Sequence, residues 1–408
     1  MQKNKEKGGI HMLTLLIGTD WTANRQEVLN RISMDVRRKK DGRILMVPEL
    51  ISHDTERRLC AAAGDTASRY AEVLSFTRLA RRVSDSVGSS AMECLDNGGR
   101  LVAMAAAARA LTGKLKAYAS VETKPEFLQG LIDAVDEFKR CCITPVDLRL
   151  ASEQTSGSLA QKLEELALIQ ESYDSLCARS QADPRDQMNW LLEQLEVCDF
   201  AENHKFYIDG FPDLTRQHMA IVRHLIKASP MVTVCLTADC IDSKHPAFEK
   251  AGQTALDLVL ACRELEVPLE IVPVKQRQDS LRYVRDRIFQ GELQTREELK
   301  SCLFPGRCDS VFDECQAAAE KVMELVRSGC RYRDIGIVTA DPGYEGVLSL
   351  IFHRCGLPVY LSGTDDILEK TAIATVLAAL DAAMEGLEQR EVLRYLKSLL
   401  LSLIHISE

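Results

Sequence analysis

The sequence predicts an α/β fold built on a parallel, doubly wound sheet that an all-helical segment interrupts. Two observations predict the sheet. Short apolar runs of strand length alternate with stretches of helical period from Leu13 to Val83, and the same alternation returns from Lys205 onward. A third observation predicts the interruption. From Gly98 to Leu195 the chain is rich in Ala, Leu, Glu and Lys, its apolar residues fall three and four apart, and no strand pattern occurs.

The elements follow in order. Leu13-Thr-Leu-Leu-Ile17 reads as a buried strand that Gly18 ends. Asn24 to Lys40 reads as a helix whose basic end, Arg37 to Lys40, suits the negative pole of the helix dipole. Arg43 to Pro48 is a second strand, stopped by Pro48, and His53 to Ala63 a helix. Glu72-Val-Leu-Ser75 is a short strand leading into a helix around Leu79 to Val83. Within the helical segment, Leu159, Leu163, Leu166, Ile169, Tyr173 and Leu176 form one apolar stripe, expected to be core. Lys205 to Asp209 returns to strand, followed by a helix from Thr215 to Lys227 and a strand from Met231 to Leu236. Thr254 to Glu266 is a helix, Leu269 to Val274 a strand, and Gln276 to Leu299 a mostly polar helix. A new unit starts near Val311. It has helices Asp313 to Arg327 and Tyr344 to Cys355, each followed by a strand, Asp334 to Val338 and Pro358 to Leu361.

Composition narrows the function. Of 408 residues, 51 are Lys or Arg and 60 are Asp or Glu, so the net charge is −9. A free-standing, strongly basic nucleic-acid binder is disfavoured, although a local basic groove is not. No run reaches the ~20 apolar residues of a membrane span, and the N-terminus carries no signal-peptide pattern. A cytoplasmic, membrane-free protein is expected. The 14 cysteines include no C-x-x-C, and the 8 histidines no H-E-x-x-H, so buried thiols are expected rather than a metal site.

Two strand ends carry the candidate chemistry. A phosphate loop, G-x-x-x-x-G-K-[ST], wraps phosphates with backbone N–H groups, reaches them with Lys and holds Mg²⁺ with Ser or Thr. Here Gly18 and Thr19 open the loop, but Ala23 replaces the second Gly, Asn24 the Lys and Arg25 the Ser/Thr. Asp20 adds a carboxylate where phosphates would sit. As a nucleotide loop this string is disabled. As a plain strand–turn–helix start, its N-cap is expected at Thr22 or Asn24. The second place is Phe206-Tyr-Ile-Asp209, a strand ending in the carboxylate that such folds offer to Mg²⁺. Working motors follow it with Glu, whereas this chain has Gly210.

Glu72-Val-Leu-Ser-Phe-Thr-Arg-Leu-Ala-Arg-Arg-Val83, Tyr207-Ile-Asp-Gly-Phe211, Tyr332-Arg-Asp-Ile-Gly-Ile-Val338 and Glu391-Val-Leu-Arg-Tyr-Leu-Lys397 occur in that order. The series resembles the AddB/RexB subunit of AddAB-type helicase–nucleases, which process double-strand DNA breaks. The resemblance implies a superfamily-one helicase-like, phosphate-loop NTPase-type sheet with the start of a second RecA-like domain. It implies pairing with an AddA-like motor subunit, contact with single- and double-stranded DNA, and a nuclease using Mg²⁺ beside a four-cysteine iron–sulfur cluster. Both nuclease features belong to the family's C-terminal region, outside this sequence. Ser75-Phe-Thr-Arg-Leu-Ala80 resembles the family's single-strand-contacting element, so Phe76, Thr77, Arg78 and Arg81 are its DNA-binding candidates. After Val338, where such motors often carry an Arg for the γ-phosphate, stands Thr339-Ala-Asp341. With Lys, Glu and Arg all replaced, an inactive motor is expected, with no ATP bound and no catalytic residue in this stretch. A free-standing α/β scaffold without nuclease and a degenerate working NTPase remain the alternatives.

The expected organisation is a non-native leader at 1–11, the first helicase-like part at 12–97 and the helical insertion at 98–197. The sheet returns at 198–308, the second domain begins at 309–398, and a non-native tail occupies 399–408. Lys7-Gly8-Gly9 can be encoded by a ribosome-binding sequence ahead of a start at Met12, and Leu399 to Glu408 resembles a translated sequencing adapter.

Overall fold

A computed structural model describes residues 11–398 except 89–92, 119–123, 180, 280, 288–293, 295–296, 362–366 and 385. The expected leader, apart from His11, and the expected tail lie outside the described residues. The chain divides into two compact units, Met1–Cys302 and Leu303–Glu408.

The first unit is built on a six-stranded sheet in the order β3-β2-β4-β5-β1-β6. The strands are β1 (Leu13–Gly18), β2 (Arg43–Met46), β3 (Ala71–Leu74), β4 (Lys205–Ile208), β5 (Val232–Thr237) and β6 (Leu269–Pro273), and every pairing is parallel. Parallel strands need cover on both faces, and the period-two alternation supplies it. Leu13, Leu15, Ile17, Phe206, Ile208, Val232 and Val234 face one layer. That layer contains α3 (Phe76–Val87), α8 (Gln187–Val197), α9 (Arg216–Ala228) and α10 (Glu249–Glu264). Leu16, Leu45, Val73, Tyr207 and Cys235 face the other, made by α1 (Trp21–Arg37) and α2 (Ser52–Ala63). Each Leu, Ile or Val buried this way contributes roughly 1.5–3 kcal/mol.

The insertion is helical as expected, with α4 (Asn97–Ala110), α5 (Pro125–Arg140), α6 (Pro145–Glu153) and α7 (Gly157–Cys177) preceding α8. Its core joins Met104, Ala107, Leu131, Ile132, Val135, Ile169 and Tyr173. The expected leucine stripe needs correction. Ile169 and Tyr173 are core, but Leu159 is exposed and Glu165 is buried in the same helix. Burial of Glu165 has a local cause: its carboxylate accepts the backbone N–H groups of Lys116 (2.8 Å), Ala117 (3.0 Å) and Tyr118 (3.0 Å). Satisfied in this way, a carboxylate replaces an apolar side chain at the seam.

Three other expectations differ from the structure. The first helix starts at Trp21, and its N-cap is Asp20 rather than Thr22 or Asn24. The Asn24 side chain is drawn inward to backbone carbonyls, which leaves Asp20 to cap. Between Gln276 and Leu299 the described residues show only the short helix α11 (Arg282–Arg287) and the start of a 3-10 turn, Glu297–Ser301, not one long helix. In the second unit, α12 (Val311–Arg327) and α13 (Tyr344–Arg354) pack through Cys315, Ala319, Leu348, Ile351 and Phe352. Helices α14 (Thr371–Met384) and α15 (Gln389–Leu396) follow. Asp334 to Val338 and Pro358 to Leu361 are not strands: a 3-10 turn covers Tyr332–Asp334, and Val338 is 97% exposed. A parallel strand exists only as part of a ladder covered on both faces, and among the described residues of this unit no ladder forms.

Candidate functional site

All six strands run the same way, so their C-terminal ends share one edge of the sheet. In open α/β sheets ligands bind at that edge. The candidate loop after β1, the strand-end Asp209 after β4 and the start of α3 after β3 all lie along it.

The loop is filled by its own side chains. Asp20, only 2% exposed, accepts from the N–H groups of Thr22 (3.2 Å) and Ala23 (3.3 Å) through Oδ1. Its Oδ2 accepts from the backbone N–H of Arg277 (3.1 Å) and from that residue's Nε (2.9 Å), and Arg285 Nη2 stands 3.7 Å away. Burial raises the carboxyl's pKa, but the hydrogen bonds from Arg277 and Ala23 overcome it and hold Asp20 down at about 2. Gln276 Nε2 donates to Thr19 Oγ1 (2.7 Å) across the mouth of the loop. Asn24 points inward, its amide donating to Gly18 O (2.8 Å) and Leu236 O (3.3 Å). A Cβ at Gly18 would lie 2.5 Å from Asn24 Oδ1, so this packing requires glycine there.

Arg25 turns under the loop to Asp209. Its Nε is 3.1 Å from Oδ2, and both side chains are buried. The Trp21 ring, exposed on its outer side, covers the guanidinium with its centroid 5.1 Å from Arg25 Cζ. Burial pushes the Asp209 carboxyl up, against the pull of Arg25. Gly210 has φ +81°, and a Cβ there would sit 3.0 Å from Ile51 Cδ1 and 3.3 Å from Arg25 Nη2. A Glu at this position would have to adopt a left-handed backbone, with Ile51 and Arg25 giving way slightly at its Cβ.

These residues do not fit a magnesium nucleotide. The anion position holds a carboxylate, the Lys position an inward amide, and the space in front of Asp209 a guanidinium. Among the described residues no three His, Cys, Asp or Glu side chains converge on a metal position. No disulfide occurs among them, and Cys177, Cys235, Cys262 and Cys315 are buried.

The DNA-binding candidates divide. Phe76 is 4% exposed, stacked on His218 with centroids 4.0 Å apart and edge-on to Phe211 at 5.4 Å. As placed, its ring is core and offers no face to a base. Thr77, Arg78 and Arg81 are exposed on one face of the first turns of α3, with Arg78 Nη1 3.1 Å from Glu56. Sequence reading missed Arg277 and Arg285, which lie in a polar stretch with no motif to mark them. It also missed Trp21, the first residue of α1, which no motif in the sequence marks.

Residues 15–288 match the family model described as "ADDB, N-terminal". The chain is 25% identical over 370 residues to the B subunit of the ATP-dependent helicase/deoxyribonuclease of Acetivibrio thermocellus, covering 87% of this chain and 32% of that protein. It is 27% identical over 369 residues to the protein of the same name from Caldanaerobacter subterraneus subsp. tengcongensis, again covering 87% and 32%. For Clostridium acetobutylicum the figures are 24% over 383 residues, 90% and 33%. The chain therefore spans about a third of the length of these curated relatives. No helix among the described residues is long and apolar enough to cross a membrane. With the family model matching residues 15–288, about two thirds of the chain and nearly all of the interrupted sheet, this chain belongs to the AddB N-terminal family.

Proposed function

We propose that this chain is the front part of an AddB-type subunit of a cytoplasmic helicase–nuclease, processing double-strand DNA breaks together with an AddA-like motor. The match over residues 15–288 carries the reading. Within the complex, the first unit acts as a helicase-shaped scaffold that lies along DNA and does not hydrolyse ATP. The Arg25–Asp209 pair and Gly210 support the loss of hydrolysis, because the metal-binding carboxylate is already engaged and the position of the water-activating Glu has a left-handed backbone that disfavours it. The start of α3, with Thr77, Arg78 and Arg81, is the single-strand contact, and Arg residues there would lie against the backbone. We further propose that the nuclease, its Mg²⁺ and the four-cysteine iron–sulfur cluster belong to a part of the subunit other than residues 12–398.

Two measurements test the reading. Calorimetry of the chain with millimolar Mg·ATP should give no saturable heat; a saturable isotherm would refute the inactive loop. In the assembled complex, Arg78→Ala with Arg81→Ala should weaken single-strand binding and lower the salt slope by about 1.4, at ~0.7 for each phosphate no longer neutralised. Unchanged affinity and slope would place both residues on a solvated face only.

A further inference from the structure

We propose that Asp20 and Arg25 are built-in ligands, the carboxylate filling the anion position of the loop and the guanidinium filling the cation position in front of Asp209. The inference rests on the reading that the loop takes no Mg·ATP, and goes beyond it by naming what holds the loop closed instead.

The geometry has the polarity of a bound magnesium phosphate. An anion sits at the mouth of the loop, and a cation sits between the loop and the strand end. Asp20 lies at the N-terminus of the 17-residue α1, where unpaired N–H groups and the helix dipole favour negative charge. It meets the donor set that a phosphate meets: the N–H groups of Thr22 and Ala23, the N–H of Arg277, and the guanidinium groups of Arg277 and Arg285. Both arginines come from the segment after β6, which is hydrogen-bonded beside β1. Arg25 stands at the loop position that would supply a hydroxyl to Mg²⁺, and it reaches the strand-end carboxylate itself at 3.1 Å. Trp21 covers this cation on one side, and Gly210 leaves room for it on another. The two charges are thus covalent parts of the chain, and the loop stays closed at any nucleotide concentration. A domain built this way does not cycle with ATP; it presents one fixed edge to whatever binds there.

The test removes each internal ligand and offers an external one. The chain carries Arg25→Ala or Asp20→Ser, the latter keeping a good N-cap residue. Thermal midpoints are followed against MnCl₂ and, separately, metal-free inorganic pyrophosphate, with NaCl-matched controls. The wild type should respond to neither. Arg25→Ala should lose stability and regain it saturably with Mn²⁺, and the gain should vanish in Arg25→Ala/Asp209→Asn. Asp20→Ser should be restored saturably by pyrophosphate, and the gain should vanish in Asp20→Ser/Arg277→Ala. At a hundredfold excess over Kd, recovery corresponds to about a hundredfold in the folding constant. If Arg25→Ala folds only with Mn²⁺, the proposal stands; if it fails with Mn²⁺ while the double variant folds, the cation assignment falls. Variants blind to their ions, or ion responses that survive the second substitution, overturn the proposal while the inactive-loop reading stands. Saturable Mg·ATP binding by the wild type overturns that reading instead.

Discussion

Replacing Arg100 by Met tests what holds the helical insertion together. Arg100 is buried in α4 and donates through Nε to the Tyr173 hydroxyl (3.3 Å). Its Nη2 pairs with Asp136 and lies 3.3 Å from Asp183. Asp183 is fully buried in the segment that returns from the insertion to α8. Removing one partner of a buried ion pair typically costs about 3–5 kcal/mol, because the other charge is left unpaired. Here the loss is cushioned. Asp183 keeps the Tyr173 hydroxyl (2.7 Å), the Arg185 N–H (2.7 Å) and Lys139 Nζ at 3.7 Å. Asp136 keeps Arg185 Nε at 2.8 Å. We therefore expect the lower part of that range, about 3–4 kcal/mol. Adding Asp183→Leu to Arg100→Met should cost less than the sum of the single changes, with a coupling of ~1–3 kcal/mol. The assay is urea unfolding followed by the fluorescence of Trp190, in α8, in a Trp21→Phe background that removes the other tryptophan. Strict additivity, or an Arg100→Met midpoint equal to wild type, would refute the reasoning.

Two further predictions concern the sheet edge. Burial against Phe76 and Phe211 lowers the His218 pKa to about 4, with Asp213 pulling weakly the other way. The folded state thus prefers the neutral ring, so stability is present above the unfolded value of ~6.5 and is lost as pH falls toward 4. That loss is at most about 3 kcal/mol, and His218→Phe should flatten the pH dependence over this window by that amount; parallel curves for variant and wild type would count against the burial argument. Gly210→Glu, which restores the residue type of a working motor, should release no phosphate from ATP and should cost about 1–3 kcal/mol for a left-handed backbone. A Gly210→Glu chain as heat-stable as wild type would show that Gly210 is not held at its positive φ.

Much of the first unit was legible in the sequence because its signals are local. Leu13 to Ile17 is apolar at nearly every position, as a strand covered on both faces must be, and the structure covers both faces. The insertion announces itself through three-and-four spacing, which a single helix encodes without reference to its neighbours. The departures of Ala23, Asn24, Arg25 and Gly210 from a phosphate-loop motor pattern are also read from the sequence alone, since a motif is a fixed spacing within one short window. The strands expected at Asp334 to Val338 and Pro358 to Leu361 show the limit of this reasoning. Apolar, β-branched residues state a preference, but a strand needs a hydrogen-bonding neighbour, and no local pattern supplies one.

By itself, then, the sequence determined the alternation of strand and helix in the first unit and the helical interruption. Tertiary structure alone decided the strand order, the inward turn of Phe76 and the partners of Asp20 and Arg25. Asp20 is partnered by Arg277 from 257 residues away, and Arg25 by Asp209 from 184 residues away. Such pairings depend on which strand ends lie side by side. The order β3-β2-β4-β5-β1-β6 seats β6 next to β1 and brings Arg277 to the loop, and that order is a property of the whole buried sheet rather than of any window of residues.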